Sequence, residues 1–128
     1  MQKTLVFVAI LLASFAKAGF AQELSPEVKE QTSKYAGAII LCMIDHVEPY
    51  LSTKETAGDL VDAAMSACQG KFDDMRDFLL RTYVDPSATE AVQLDQKVMV
   101  DKMVETGNKR DRSLILSSIL QKRREHGL

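Results

Sequence analysis

The spacing of apolar residues in the middle of the chain is the strongest constraint on its fold. Between residues 55 and 83 these residues recur at every third or fourth position, at Val61, Met65, Cys68, Phe72, Met75 and Leu79. This is the period of one face of an α-helix, whereas a half-buried strand alternates at every second residue. The stripe passes through Gly70 without losing phase and follows Ser52–Glu55, a capping-box pattern. We therefore expect one long helix over residues 55–83, with two shorter helices that meet at Gly70 as the alternative.

Start and stop signals divide the rest of the chain into further helices. Ser25–Glu27 combines an N-cap residue, a proline at the first helical position and an acid in the first turn. Pro49 ends or kinks that first helix, because proline lacks the backbone donor and crowds the preceding turn. A second capping-box pattern, Ser87–Glu90, opens a later helix, and Gly107–Asn108 suits a helix end or kink.

These elements predict one small helical domain. A chain of 128 residues, shortened by removal of its N-terminal segment, suffices for one modest core but not for two. We expect an all-α fold, a small up-and-down bundle of three to four helices preceded by a cleavable signal peptide. The single domain covers residues 22–128, and its last helix, at about residues 108–126, is basic.

The mature chain contains two cysteines, Cys42 and Cys68, which allow one intramolecular pairing. Both lie on the apolar faces of their predicted helices, and a short turn between the helices would bring them together. An exported chain meets oxidising conditions, so we expect a structural disulfide. A redox-active or metal-binding pair is the alternative, but the sequence has no Cys-x-x-Cys motif and no nearby set of metal ligands.

The first 21 residues have the three parts of a secretory signal peptide. Lys3 supplies the positive start, Thr4–Ala16 is apolar, and small residues precede two candidate cleavage points. A spanning helix needs about 20 apolar residues, and Lys17 interrupts this run too early. We expect cleavage after Ala21, with Ala18 as the alternative, and a periplasmic or secreted mature protein.

Residues that usually carry catalysis or bind metal ions are few and scattered. The histidines are His46 and His126, which lie far apart in the sequence. Asp73, Asp74 and Asp77 share one helix, whereas hard-cation sites usually draw their ligands from a folded-back loop. We therefore expect a solvated acidic face there, and no enzymatic activity, no metal and no cofactor.

Charge is unevenly distributed along the chain. Residues 23–105 contain 16 acidic and 8 basic residues, whereas residues 109–125 contain six basic and two acidic ones. The basic residues bracket an apolar stripe, which predicts a basic amphipathic helix and makes it a candidate interaction surface. Its members are Lys109, Arg110, Arg112, Lys122, Arg123 and Arg124.

Three kinds of contact would suit this basic surface. The first is contact with a protein partner. The second is peripheral contact with an anionic membrane, and the case for it is weaker because the helix has no aromatic anchor. The third is intramolecular, with the helix folded back so that its cations meet the acidic body. Nucleic acid is not expected as a partner, because the chain is exported and acidic overall.

The sequence contains no motif that identifies a family. In size, export and the number of cysteines it is similar to the small acid-stress chaperones of the periplasm, but no residue roles follow from that similarity. Our main expectation is a non-enzymatic exported interaction or binding protein. The alternatives are a chaperone that loosens when its carboxylates are protonated at low pH, and a surface-binding protein that acts through its basic C-terminal helix.

Overall fold

The computed structural model describes residues 25–128, and four α-helices account for most of that range. They are α1 (Pro26–Val47), α2 (Ala57–Ala67), α3 (Gln69–Tyr83) and α4 (Glu90–Glu125), with a 3-10 turn at Glu48–Tyr50 between α1 and α2. No strand occurs within residues 25–128, so the predicted all-α fold with three to four helices is confirmed. The predicted signal peptide, residues 1–21, lies outside the described residues.

The helix α4 runs antiparallel to α2 and α3 and packs against both. Near its start, Asp101 accepts a hydrogen bond from Arg76 of α3 at 3.0 Å. Further along, Arg112 donates to Asp62 of α2, also at 3.0 Å. Along α4 the contact residues run from 101 to 112, whereas their partners run from 76 back to 62. The helix α4 is therefore antiparallel to α2 and α3.

The helix α1 also runs antiparallel to α2 and α3. Its residue Cys42 is disulfide-bonded to Cys68, with a Cα–Cα distance of 6.0 Å. Nearer the start of α1, the ring of Tyr35 stacks on that of Phe78 in α3, with 4.9 Å between the ring centroids. These contacts are consistent with an up-and-down arrangement in which α1 leads up, α2 and α3 return together, and α4 leads up again.

The helices α1, α2 and α4 each begin at a hydroxyl N-cap. The side chains of Ser25, Thr56 and Thr89 accept the backbone N–H three residues ahead, at 3.3, 3.1 and 3.4 Å respectively. The capping-box patterns predicted slightly earlier starts, at about residue 55 for α2 and at Ser87 for α4. Ser87 instead donates to the carboxylate two residues before it, which holds it in the turn that precedes α4.

A single residue, Cys68, separates α2 from α3. Its ψ of 12° departs from the helical value of about −42°. The Cys68 carbonyl accepts from the N–H groups of both Lys71 and Phe72, so the chain tightens for one turn before it resumes as α3. The long helix predicted over residues 55–83 is therefore interrupted, at the disulfide rather than at Gly70.

The helix α4 is continuous where the sequence predicted an end or kink at Gly107–Asn108. The separate basic helix expected from about residue 108 is the C-terminal part of α4. Val100 lies on the buried face before the glycine, and Ile115 and Ile119 lie on it afterwards. Their packing outweighs the cost of about 1 kcal/mol that a glycine brings to a helix interior.

The core is made of aliphatic, methionine and aromatic side chains from all four helices. Its most deeply buried members are Met43 of α1, Val61 of α2, Cys68, and Val100 and Ile119 of α4. The methionines divide between the interior and its edge, because Met65 and Met99 are only partly buried. None of the helices between residues 25 and 128 combines the length and apolar content needed to cross a bilayer.

Replacement of both cysteines by alanine should lower the free energy of unfolding by about 3 kcal/mol, because the bond closes a loop of 26 residues and restricts the unfolded chain. The measurement is urea unfolding at neutral pH, followed by circular dichroism. Reduction of the unmodified protein serves as the control and should cause a similar loss. Equal stability of the oxidised protein and the double variant would show that the bridge contributes nothing.

Substitution of Gly107 by alanine should raise the free energy of unfolding by about 0.5–1 kcal/mol, because alanine has the higher helix propensity. Space is available, since an added Cβ at this position meets no atom within 4 Å. The measurement is the urea midpoint, with Gly70→Ala, at an equally open helical position, as the matched control. A loss of stability at Gly107 alone would indicate a bend that needs glycine.

Candidate functional site

The six cations of the predicted interaction surface do not form one exposed patch. Arg112 donates from Nε to Asp62 at 3.0 Å, which ties the middle of α4 to α2. Arg123 donates from Nε to the carbonyl oxygen of Leu51 at 3.0 Å and from Nη2 to that of Thr53 at 3.3 Å. These two arginines hold α4 against α2 and the preceding turn, which is the intramolecular contact that the sequence left open.

The other four cations occupy different surroundings. The Nζ of Lys109 lies 2.9 Å from Glu105, one turn earlier on the exposed side of α4. Hydrogen bonding and charge attraction from Lys109 lower the pKa of the Glu105 carboxyl. Lys122 and Arg110 are half-buried at the edges of two grooves, and Arg124 is exposed. The predicted surface is thus dispersed around α4.

Exposed apolar side chains mark the outer side of α4, which the sequence analysis did not single out as a surface. Leu94 is 61% exposed, Val98 46% and Leu120 48%. Ala91, also exposed, lies one turn before Leu94, so the first half of α4 carries an apolar row in contact with solvent. The available sequence signal was the number of apolar residues between 91 and 104, which is more than one buried helical face requires.

The two halves of α4 carry opposite charge. Residues 90–105 contain four acidic and two basic residues, whereas residues 109–125 contain two acidic and six basic ones. Because the helix is continuous, these charges lie along one element about 54 Å long. The imbalance is visible in the sequence, but Gly107–Asn108 predicted that its two halves lie on separate helices.

A buried carboxyl group in the middle of α4 also escaped prediction. Asp111 is only 7% exposed, although it stands between two arginines in the sequence. Its position in the apolar phase, four residues before Ile115 and eight after Met103, was the available signal. It lies beside a small groove between α1, α3 and α4 with space of about 30 Å³, room for roughly two water molecules. Most groove residues are apolar, among them Ala36, Ile39, Phe72 and Met75.

Burial raises the pKa of the Asp111 carboxyl from 3.8 to about 6, and the charge of Arg110 opposes that rise. The folded chain therefore binds this proton more tightly than the unfolded chain does. Below about pH 4 the group is neutral in both states and carries no penalty. Stability falls as the pH rises through 4 to 6, and above that range the ionised group costs the folded state about 3 kcal/mol.

The remaining sequence candidates show no convergence on a reactive centre. His46 is half-buried on α1, and its ring centroid lies 6.2 Å from that of Tyr50. Asp73, Asp74 and Asp77 are exposed on α3, where Asp73 accepts a hydrogen bond from Gln69 of the same helix. Across residues 25–128, no three His, Cys, Asp or Glu side chains are grouped so that they could hold a metal ion.

Comparisons with known proteins give no relative. The sequence matches no protein-family model, and neither curated proteins nor solved structures give a match.

Substitution of Asp111 by asparagine should raise the free energy of unfolding by about 2 kcal/mol at pH 7.5, because the buried negative charge is removed. Near pH 4 the gain should vanish, since the native carboxyl is then protonated. The measurement is urea unfolding at both pH values, with the exposed Asp74→Asn as control. An equal effect at the two pH values, or a loss at pH 7.5, would contradict the assignment.

Proposed function

We propose that the chain is exported and that the mature protein acts without catalysis, by binding another protein molecule. The observation that carries this proposal is the row of exposed apolar side chains, Ala91, Leu94 and Val98, on one side of α4. Single exposed apolar residues are ordinary on protein surfaces, but neighbours on one helical face form a contiguous patch. Such patches suit protein interfaces.

Two observations support the export part of the proposal. The first 21 residues have the order of features found in secretory signal peptides. The bond between Cys42 and Cys68 is consistent with an oxidising compartment, because thiols in reducing compartments seldom form structural disulfides. Together, the two observations support a periplasmic or secreted location.

The acid-stress chaperone is the second candidate. It is favoured by the exposed ion pairs Asp62–Arg112 and Asp101–Arg76, which connect α4 to its neighbours and are lost when the carboxylates are protonated. Release of α4 would uncover apolar surface of the core. Asp111 acts in the opposite direction, because its protonation stabilises the fold. Loosening would therefore occur only below about pH 4, where the benefit from Asp111 is complete.

Photocross-linking in the native host tests the main proposal. The full chain carries a photoreactive amino acid at Val98 or, as the matched control, at Asp74, an exposed position on α3. We expect a protein adduct from position 98 and none from position 74. The adduct should occur in the exported fraction, and the chain in it should lack its first 21 residues. Absence of any adduct at position 98, or retention of the uncleaved chain in the cytosol, would contradict the proposal.

A further inference from the structure

We propose that a second copy of this chain docks antiparallel along the outer side of α4. This inference rests on the proposed function, in that it names the partner for the exposed face of that helix. It also gives the charge asymmetry of α4 a role, because antiparallel packing brings the acidic half of each helix beside the basic half of the other.

The outward residues of α4 follow a regular repeat, and together we call them the outer stripe. Steps of three, four and four residues occur twice in succession and begin a third time, which gives eleven residues per repeat and keeps the stripe nearly straight on the helix. All members are exposed except Leu116, which is half-buried. They are Ala91, Leu94, Val98, Lys102, Glu105, Lys109, Ser113, Leu116 and Leu120.

The outer stripe is complementary to itself about its middle. If the two-fold axis passes at the level of residue 107, Leu94 faces Leu120 of the second copy, and Val98 faces Leu116. Glu105 then faces Lys109 of the second copy, and the same pair forms again on the other side of the axis. In these three kinds of pair, apolar residues meet apolar ones on both sides of the axis and opposite charges meet at the centre, whereas Ala91 and Lys102 lie opposite Arg123 and Arg112, which are not stripe members.

Charge outside the outer stripe favours the same orientation. In this register Glu90, at the acidic start of α4, lies at the level of Arg124, at its basic end. A parallel arrangement would instead place like-charged halves side by side, which is unfavourable. These charges therefore favour the antiparallel orientation over the parallel one.

The size of the stripe predicts a weak dimer. From Leu94 to Leu120 the helix rises about 39 Å, and the contact is about one helix wide, roughly 10 Å. Stable interfaces usually bury about 800 Å² on each partner, which is more than such a strip provides. We expect reversible association in the micromolar range.

Analytical ultracentrifugation of the mature, oxidised protein from about 1 to about 500 µM tests the inference. The weight-average mass should rise from monomer toward dimer. Glu105→Lys or Lys109→Glu should each weaken association about tenfold, because like charges then meet at the centre. An equimolar mixture of these two variants should recover it, because opposite charges face each other again. Asp74→Lys, which changes an exposed charge on α3, is the matched control and should associate normally.

Several results would overturn the inference. A monomer at all concentrations would do so, as would unchanged association of both central variants or failure of their mixture to recover binding. The photocross-linked adduct gives an independent check, since a dimer doubles the mass. An adduct of another mass at Val98 would refute the second copy as partner and leave the proposed binding function intact.

Discussion

Docking of one continuous face of α4 against α2 and α3 is the interaction on which the rest of the structure depends. Val100 and Met103 lie on this face before Gly107, and Ile115 and Ile119 lie on it afterwards. The disulfide joins α1 to the junction of α2 and α3, so no cross-link beyond the backbone itself holds α4 in place. Because α4 is continuous through the glycine, its opposite side becomes one long surface with opposite charge at its two ends.

Polar groups on α4 have opposing effects on that docking. The ion pairs with Asp62 and Arg76 are exposed, and such pairs contribute about 0.2–1 kcal/mol each. Ionised Asp111 costs the fold about 3 kcal/mol, which exceeds what these pairs supply at neutral pH. Stability should therefore be greatest in mild acid, below the pKa of Asp111 and above the range in which exposed carboxylates lose their charge. Release of α4 by acid would therefore require a pH below this stability maximum.

The sequence predicted the helical class and the start of α1 at Ser25, because local signals determine both. It placed the starts of α2 and α4 a few residues too early, since Thr56 and Thr89 compete with the serines as caps. The sequence predicted a break in α4 at Gly107 because the helix-propensity cost of glycine is a local signal. The packing that overrides this cost comes from residues distant in the sequence. Burial of Asp111 was missed for a similar reason, as its charged neighbours in sequence concealed its place on the buried face.

Native-state hydrogen exchange of α4 tests this account most directly. If the helix docks as one unit, amides on the two sides of Gly107, from Val100 to Ile119, should open with the same free energy, close to that of global unfolding. If residues beyond Gly107 formed a separate basic helix, their amides would open at a free energy several kcal/mol lower than those before it. That result would contradict both the continuous core face and the outer stripe that depends on it.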